Sequence, residues 1–304
     1  MDKPQDDKKE FLHKSVLVQE VITYLAPCPG GMYIDATFGG GGHTRAILDA
    51  EPTCSVLALD WDNDAIKQNA PALEEQYGDR FSVVLGNFSH LYKIIKREKI
   101  NHVDGILADF GTSQYQIHNK AGFSFLKNTP LDMRMSAGHY KETAADIINQ
   151  ASEQEIAHIL FTYGEEHQAK KIARAIVKTR TATPFKTTGQ LVDVINSVLP
   201  ISHFKRQYGI HPATRTFQAL RIVVNHELDN IHNFLKTGTG ILSSQGRMVC
   251  ISFHSLEDRI VKNYFRDNAH QYDILTPKPI TATEEELALN PSSRSAKLRA
   301  AKKH

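Results

Sequence analysis

The chain has 304 residues, enough for one large or two modest domains, and its hydrophobic content of 41% is ordinary for a globular protein. The formal net charge of +2 gives no overall sign of a nucleic-acid partner, and no apolar run is long enough to span a bilayer. The three cysteines are far apart, which excludes a disulfide framework and a Cys-x-x-Cys zinc site. Because no leader pattern is present either, we expect a reduced, cytoplasmic protein.

The most informative stretch covers residues 33–43, which follow a short helix predicted at residues 16–25. An apolar run ends there at Asp35, and four consecutive glycines precede the next helix. A second apolar run ends in another acid, Asp60. A strand, a glycine turn, a helix and a strand that closes on a carboxylate are typical of the nucleotide-binding half of a doubly wound sheet. The Asp60 carboxylate is therefore a candidate to accept hydrogen bonds from the hydroxyls of a ribose.

The glycine turn does not fit the dinucleotide fingerprint G-x-G-x-x-G, because Thr44 stands where a third glycine or an alanine is needed. In addition, Asp35, just before the glycines, would repel a diphosphate. Both features favour a loop around an amino-acid-like group, such as the positively charged methionine part of S-adenosylmethionine. A nicotinamide-dependent oxidoreductase of the same fold, or a turn that binds nothing, are the alternatives at this point.

Strands and helices alternate along the first third of the chain. Strands are predicted at residues 32–36, 55–60, 81–85 and 103–109, and helices near residues 44–49, 62–76 and 89–99. This alternation predicts a parallel sheet with right-handed crossovers, whose ligands bind at the carboxyl ends of the strands. The residues at those ends are Asp35, Asp60, Phe88 and Asp109.

The alternation stops after Asp109. The next segment is rich in Gly, Asn, Gln and aromatic residues without a period, and helical patterns then follow without strands. A capping box at residues 152–155 predicts the start of one of these helices. We therefore expect a Rossmann-like sheet domain built from residues 1–110 and 212–304, with a helical substrate-recognition domain of residues 111–211 inserted into it.

The α/β pattern resumes after the insert. Apolar residues at helical spacing from Phe217 to Leu235 predict one long helix that ends near Gly238. A strand at residues 248–253 and a helix at residues 256–267 follow. The last eleven residues carry five basic residues and no acid. This basic run indicates either a tail that contacts phosphate or a disordered, solubilising end.

Six longer motifs occur in order along the chain: DATFGGGGH at residues 35–43, GFSF at 122–125, PLDMRM at 130–135, TYGEE at 162–166, HPATRTFQAL at 211–220 and SFHSLEDRIVK at 252–262. Through them the chain resembles the bacterial 16S ribosomal RNA (cytosine-N4)-methyltransferases over nearly all of residues 13–265. The resemblance implies a class I methyltransferase sheet with S-adenosylmethionine as the cofactor. It also implies that the substrate is a cytosine in the decoding region of 16S rRNA, within the small ribosomal subunit, with no membrane or metal partner.

The resemblance also assigns the residues that hold the methyl donor, which are Gly41, Gly42, His43, Asp60, Phe88, Asp109 and Gln116. The chain departs from the family pattern in two places close to them. The segment that usually reads D-L-G-V-S-S has Phe110, Thr112 and Gln114 at three of its positions. The Glu-Arg pair often found before G-F-S-F is Lys120-Ala121 here. Both departures leave open how this loop meets the substrate base.

Methyl transfer from a sulfonium needs a nucleophile in line, about 3–3.5 Å from the methyl carbon, and requires no metal. The exocyclic amine of cytosine is a poor nucleophile, because its lone pair is delocalised into the ring. An acceptor for its N4–H localises that lone pair and can take the proton afterwards. Asp109 is the best-placed carboxylate for this catalytic role. The alternative is that Asp109 only positions the cofactor.

The target base must leave its stack to reach such a site, where aromatic rings and polar groups hold it. The aromatic candidates are Phe110, Tyr115, Phe123 and Phe125, and the polar candidates are Asp132, Arg134, Arg215 and His254. Each has a structural alternative, in the core, in an ion pair or at a helix start. A catalytically silent RNA-binding or ribosome-assembly protein on the same scaffold is the rival function, against which the intact acids Asp60 and Asp109 argue.

Overall fold

The computed structural model describes residues 14–111, 120–201 and 209–304. Its strands are β1 (Met32–Asp35), β2 (Ser55–Asp60), β3 (Phe81–Leu85), β4 (Val103–Asp109), β5 (Leu242–Ser252), β6 (Tyr272–Ile274) and β7 (Lys297–Lys303). Its helices are α1 (Val18–Leu25), α2 (Gly42–Ala50), α3 (Asn63–Tyr77), α4 (Leu91–Arg97), α5 (Ala144–Gln150), α6 (Glu153–Gly164), α7 (Ala169–Arg180), α8 (Thr188–Val198), α9 (Ala213–Val224), α10 (Glu227–Ile241), α11 (Ser255–Asp267) and α12 (Glu284–Leu289).

The strands form one seven-stranded sheet in the order β3-β2-β1-β4-β5-β7-β6. Strands β1 to β5 are parallel, whereas β7 is antiparallel to both of its neighbours, β5 and β6. The chain builds outward from β1 in one direction and from β4 in the other, so the carboxyl ends of these two strands flank a crevice. The predicted parallel α/β sheet is confirmed, and β2, β3 and β4 have the predicted bounds.

Alternate residues of each strand pack against helices on opposite faces of the sheet, because successive side chains of a strand point to opposite sides. On one face Ile34, Leu57 and Ile106 join a buried cluster with residues of α4, α10 and α11. On the other face Tyr33 and Leu107 join a cluster with residues of α1, α2 and α3. The result is a doubly wound, three-layered domain.

A third buried cluster belongs to the helices between β4 and β5. It draws its members from Leu131 to Val224 and includes residues of α5, α6, α7, α8 and α9. The last of these helices contributes Ala213, Phe217 and Leu220, which lie beyond residue 211. The boundaries of the inserted domain, residues 111–211, stay a prediction. The capping box at Ser152 is present as expected.

The single helix predicted from residue 217 to about 238 is wrong, because the chain forms α9 and α10 with a break between them. At the break His226 has a φ of +49°, and the side chain of Asn225 bonds both to its own helix, at the Arg221 carbonyl, and to a distant segment. The amide of Asn225 accepts from the backbone N–H of Met135 at 2.7 Å and donates to the carbonyl of Met133 at 2.8 Å. Gly238 lies inside α10, where a Cβ would come within 2.7 Å of Met248 Cε.

The basic run near residue 300 is not a disordered end, because it forms β7 between two other strands. Leu298 and Ala300 are buried in the sheet. Arg299 pairs with Asp258 at 2.6 Å, and the Lys303 ammonium donates to the carbonyl of Thr239 at 2.8 Å. Two of the basic side chains thus hold the strand in place. None of the helices in the described residues is long and apolar enough to cross a membrane.

Candidate active site

A cavity of about 850 Å³ lies between the carboxyl ends of the central strands and the inserted helices. Its sheet side includes Thr37, Asp60 and Asp109, which end or follow β1, β2 and β4. Its opposite side includes Phe125 and Phe217. The volume is in the range of about 300–1,000 Å³ that is typical of ligand pockets. Residues of both domains therefore face one space at the crevice of the sheet.

Asp60 holds the glycine turn against the end of β2. Its Oδ2 accepts from the backbone N–H of Gly39 at 2.7 Å, and its Oδ1 accepts from that of Asp62 at 2.8 Å. Gly39 and Gly41 have φ values of +50° and +74°, a region that glycine adopts without steric cost. Burial raises the pKa of Asp60 to about 6, although both backbone bonds oppose the change. The carboxylate is thus fixed at the cavity wall before any ligand binds.

The other residues predicted in the turn, Gly41, Gly42 and His43, do not line the cavity. Gly41 and Gly42 begin α2, and a Cβ on Gly42 would overlap the side chain of Ser15. His43 is buried, and its Nε2 lies 2.8 Å from the carbonyl oxygen of Val16. This hydrogen bond fixes the start of α1 against α2. Of the glycines in the turn, Gly39 lines the cavity, and the cofactor-binding roles of Gly41, Gly42 and His43 stay predictions.

Asp35 is fully buried and has both of its oxygens occupied by the same turn. Oδ1 accepts from the backbone N–H of Thr37 at 3.1 Å, and Oδ2 accepts from the Thr44 hydroxyl at 2.7 Å. Burial raises the pKa of this carboxyl above its ordinary value, against the opposing effects of His43 and these hydrogen bonds. Asp35 therefore shapes the loop from within.

Asp109 ends β4 with its carboxylate at the cavity. Its backbone N–H donates to the Thr37 hydroxyl at 2.7 Å, which ties the ends of β1 and β4 together. Its Oδ1 is buried without a hydrogen-bond partner among the described residues. Burial raises the pKa of Asp109 to about 6, the charge of His43 and a hydrogen bond from the Gly111 backbone oppose the shift, and the charges of Asp35 and Glu257 add to it.

The described aromatic candidates all line the cavity, and two of them also pack in the core. Phe88 and Phe110 line the cavity and pack on each other at 5.8 Å and on Phe234. Phe123 and Phe125 line it from the side of the insert, and Phe125 stacks on the ring of His211 at 4.9 Å. Rings therefore lie on both sides of the cavity.

The polar candidates are dispersed. Arg134 makes two hydrogen bonds to Asp132, at 2.7 and 2.8 Å, and the pair stabilises the segment before α5 without lining the cavity. Arg215 lies in the first turn of α9 and also does not line the cavity. His254 does line it. Tyr115 and Gln116 lie outside the described residues, as do Thr112 and Gln114.

The structure adds Trp61 as a cavity residue that the sequence did not single out, and it places Lys120, a departure from the family pattern, outside the cavity lining. Trp61, directly after Asp60, lines the cavity and packs edge-on against Tyr140 at 6.1 Å. Lys120 forms an ion pair with Asp62 at 2.9 Å and donates to the carbonyl of Met135 at 2.6 Å. The first Lys120 contact joins the start of the insert to the sheet domain beside Asp60. The sequence signal that could have identified Trp61 is its position directly after Asp60, the predicted ribose acceptor.

A buried charged cluster forms the far wall of the cavity. It contains Arg221, Glu227, His254 and Glu257. Arg221 makes two hydrogen bonds to Glu227, at 2.9 and 3.0 Å, and His254 Nε2 lies 3.2 Å from Glu257 Oε1. Three of these residues, Glu227, His254 and Glu257, each place a possible metal-ligand atom within 4.8 Å of the others. Sequence reasoning interpreted Glu257 as a helix cap and missed Arg221 and Glu227, because three different elements bring the cluster together.

The strand order, the glycine turn and the carboxylates at the strand ends define a Rossmann-like methyltransferase. The sequence profile of the MraW methylase family matches residues 10–304. The chain belongs to this family, and S-adenosylmethionine is its cofactor.

Curated relatives are similar in sequence to this chain over nearly its whole length. "Ribosomal RNA small subunit methyltransferase H" of Geotalea uraniireducens is 45% identical over 97% of this chain and 99% of its own. The protein of the same name from Trichormus variabilis is 47% identical over 98% of this chain and 93% of its own. Among solved structures, SMU.1697c, a putative methyltransferase from Streptococcus mutans in complex with SAH, gives a TM-score of 0.45 at 10% identity, over 96% of this chain and 99% of that one.

Proposed function

We propose that the chain transfers a methyl group from S-adenosylmethionine to N4 of a cytosine in the decoding region of 16S rRNA, within the small ribosomal subunit. Methylation of ribosomal RNA is supported by relatives named ribosomal RNA small subunit methyltransferase H, which are 42–47% identical over nearly their full length. The choice of cytosine N4 rests on the motifs from Asp35 to Lys262 and on the chemistry of the cavity. A cytoplasmic location is part of this proposal.

The observation that carries the proposal is the Asp109 carboxylate. Asp109 lines the cavity together with Phe110, Phe123 and Phe125, and its Oδ1 is buried without a hydrogen-bond partner among the described residues. An amine hydrogen would satisfy this oxygen, and aromatic rings at the cavity offer surfaces on which a base can stack. A carboxylate that accepts N4–H also raises the nucleophilicity of the amine.

The residues at the sheet end fit the cofactor. The Gly39 turn leaves room for backbone approach, and Asp60 offers the remaining lone pairs of its oxygens to ribose hydroxyls. When bound, S-adenosylmethionine supplies an activated methyl group on a sulfonium. Asp109 then orients the amine and holds its proton after transfer. Because the pKa of Asp109 is about 6, the carboxylate is ionised and able to accept at neutral pH.

The direct test incubates the protein with labelled S-adenosylmethionine and small subunits from cells that lack this protein. We expect label on one cytosine, and digestion with mass spectrometry should place the methyl group on N4. Label on another base, or on another atom of cytosine, contradicts the proposal. Binding of the subunit without any transfer would instead assign the chain to the catalytically silent assembly role.

A further inference from the structure

The helix α7, between β4 and β5 in the chain, carries a strongly basic surface. Its twelve residues include five Lys or Arg and no acid, and the chain has no acid anywhere between Glu166 and Asp193. One of the five, Arg180, is half-buried and donates to the carbonyl of Ile148 at 2.6 Å, so it stabilises the fold. The other four are exposed: Lys170, Lys171, Arg174 and Lys178.

The four exposed residues lie on one side of α7. With about 3.6 residues per turn, their positions fall within an arc of about 100°. The opposite side contains Ile172, Ala173 and Ile176, which are buried in the third hydrophobic cluster. We call the exposed side, formed by Lys170, Lys171, Arg174 and Lys178, the basic face of α7.

The basic face has little counter-charge in the part of the chain that the structure describes. Lys170, Lys171 and Lys178 form no ion pair with any described residue. Arg174 lies 3.6 Å from Glu153, but its side chain is 79% exposed. An ion pair this exposed contributes little. The basic face is therefore available to an anionic partner.

The stability of the helix does not explain these charges. Because the N-terminus of a helix carries a partial positive charge, acids in the first turn stabilise it and basic residues there do not. The first turn of α7 holds Lys170 and Lys171 and no acid, whereas that of α6 holds two acids. In addition, Lys170, Arg174 and Lys178 follow at intervals of four residues, at which like charges repel each other. Charges that oppose helix formation in two ways indicate a role outside the helix.

The basic face belongs to the same packed group of helices as one wall of the cavity. α6 packs against both α7 and α9, and the three helices share one buried cluster. Thr214, Phe217 and Gln218 of α9 line the cavity. Packed helix axes lie about 8–10 Å apart, so the axes of α7 and α9 are separated by about 20 Å or less. Nucleotides that flank a base in the cavity are therefore within reach of α7.

The segment before α7 is also tied to the cavity wall. Glu165 accepts from the Ser255 hydroxyl at 2.6 Å, and Ser255 directly follows His254, which lines the cavity. Lys170 is only five residues further along the chain than Glu165. The basic face thus begins close to the cavity wall, and it extends about 12 Å along the helix, as far as Lys178.

We propose that the basic face of α7 binds phosphate groups of the rRNA that flanks the target cytosine. This inference rests on the proposed function. Lys and Arg side chains that neutralise phosphates release counterions from the nucleic acid, which supplies affinity independent of sequence. In protein–DNA complexes such contacts fix the register and orientation of the protein. The basic face holds the strand in the same way, and the cavity selects the base.

Two other interpretations compete with this one. The basic face could be the docking surface of an acidic protein, or it could meet only solvent. Both alternatives predict that removal of its charges leaves the affinity for ribosomal subunits unchanged. The proposed phosphate contacts predict a weaker affinity and a smaller dependence of that affinity on salt.

The test neutralises the basic face without a change of helix propensity, since glutamine and lysine are nearly equal in this respect. The triple variant carries Lys170→Gln, Lys171→Gln and Lys178→Gln. The matched control carries the same change at three exposed lysines on or directly after α4, which do not line the cavity: Lys93→Gln, Lys96→Gln and Lys99→Gln.

The probe is unmethylated small subunits from cells that lack this protein, and the readout is the Kd across a KCl titration. In the triple variant we expect the Kd at low salt to rise about tenfold or more. The slope of log Kd against log salt should fall by about 2–3, because each lost phosphate contact removes about 0.7–0.9. The Kd for S-adenosylmethionine, the melting temperature and kcat at saturating subunits should keep their wild-type values. The control should match the wild type throughout.

An unchanged Kd and salt slope in the triple variant would overturn the inference. An equal loss in the control would also overturn it, because that result assigns the effect to total charge. Subunit affinity is measured without methyl transfer, so this test is separate from that of the reaction. A wild-type protein that does not methylate cytosine N4 refutes the proposed function, whereas wild-type transfer with unaffected binding by the triple variant refutes only the role of the basic face.

Discussion

The buried carboxylates at the two ends of the cavity differ in how completely they are hydrogen-bonded. At the proposed cofactor end, both oxygens of Asp60, which lines the cavity, and of Asp35, which is buried and does not line it, accept hydrogen bonds from the surrounding chain. At the end of β4, where we propose that the substrate binds, Asp109 Oδ1 is buried without a hydrogen-bond partner among the described residues. An unsatisfied buried polar atom costs about 1–3 kcal/mol. The proposed cofactor cradle is thus fully hydrogen-bonded without a ligand, whereas the proposed acceptor, Asp109, keeps one unsatisfied oxygen.

The largest effect should come from the substrate end. Asp109→Asn keeps the shape of the side chain but removes the ionised acceptor, so we expect kcat to fall by about 10²–10⁴-fold. The affinity for S-adenosylmethionine, measured by calorimetry, should change little. The matched control is Asp104→Asn at the opposite end of the same strand, where Asp104 accepts from the Met32 N–H at 2.9 Å. A variant with full turnover, or one that mainly loses cofactor affinity, would remove the assisting role of Asp109.

At the proposed cofactor end we expect a substitution to lower cofactor affinity more than it lowers turnover. Asp60→Ala removes the acceptor for ribose and the two bonds that hold the glycine turn, and bonds to charged groups contribute about 1.5–3 kcal/mol each. We expect the Kd for S-adenosylmethionine to rise by tenfold or more, with kcat at saturating cofactor much less affected. Asp60→Asn, which retains one acceptor oxygen, should fall between wild type and alanine. Unaltered affinity in both variants would remove Asp60 from the cofactor site.

The pH dependence should separate activity from stability. The pKa values of Asp60 and Asp109 are raised to about 6, because burial favours their neutral forms. The folded chain therefore binds these protons more tightly than the unfolded chain does. The stability that the two carboxyls contribute is fully present below about pH 4 and is lost as pH rises through about 6. Activity requires ionised Asp109, so kcat should fall about tenfold for each unit below pH 6.

Two measurements check this prediction. A profile of kcat against pH should show an ascending limb near pH 6 in the wild type. The free energy of unfolding, measured by chemical denaturation, should decrease from pH 5 to pH 7. This decrease should be larger in the wild type than in Asp109→Asn. A flat kcat profile across pH 5–7 would contradict the acceptor role of the Asp109 carboxylate.

The parts of the fold that local patterns determine were predicted well. Apolar runs of five to seven residues bounded by turn signals gave β2, β3 and β4 with their observed bounds. Acids at the ends of those strands gave Asp60 and Asp109 as cavity residues. Parallel strands bring their carboxyl ends to one edge, so residues distant in sequence but equivalent in the pattern must converge there.

What the sequence missed depends on contacts between distant elements. Helical spacing continues across Asn225, and the break there exists because its amide bonds to the backbone of Met133 and Met135, about ninety residues earlier. The wall of Arg221, Glu227 and Glu257 likewise exists only once α9, α10 and α11 pack together. Neither feature has a periodic signal that a single sequence can reveal.

The position of β7 has a consequence for how the protein folds. This strand follows all the others in sequence, yet it lies between β5 and β6. During synthesis one edge of β5 therefore stays unpaired until residues 297–303 have left the ribosome. Before then β6 has no neighbour in the sheet. An open strand edge is a template for pairing with another chain. Completion of the sheet, rather than formation of the cofactor cradle, is thus the step at which a slow or interrupted translation exposes the protein to aggregation.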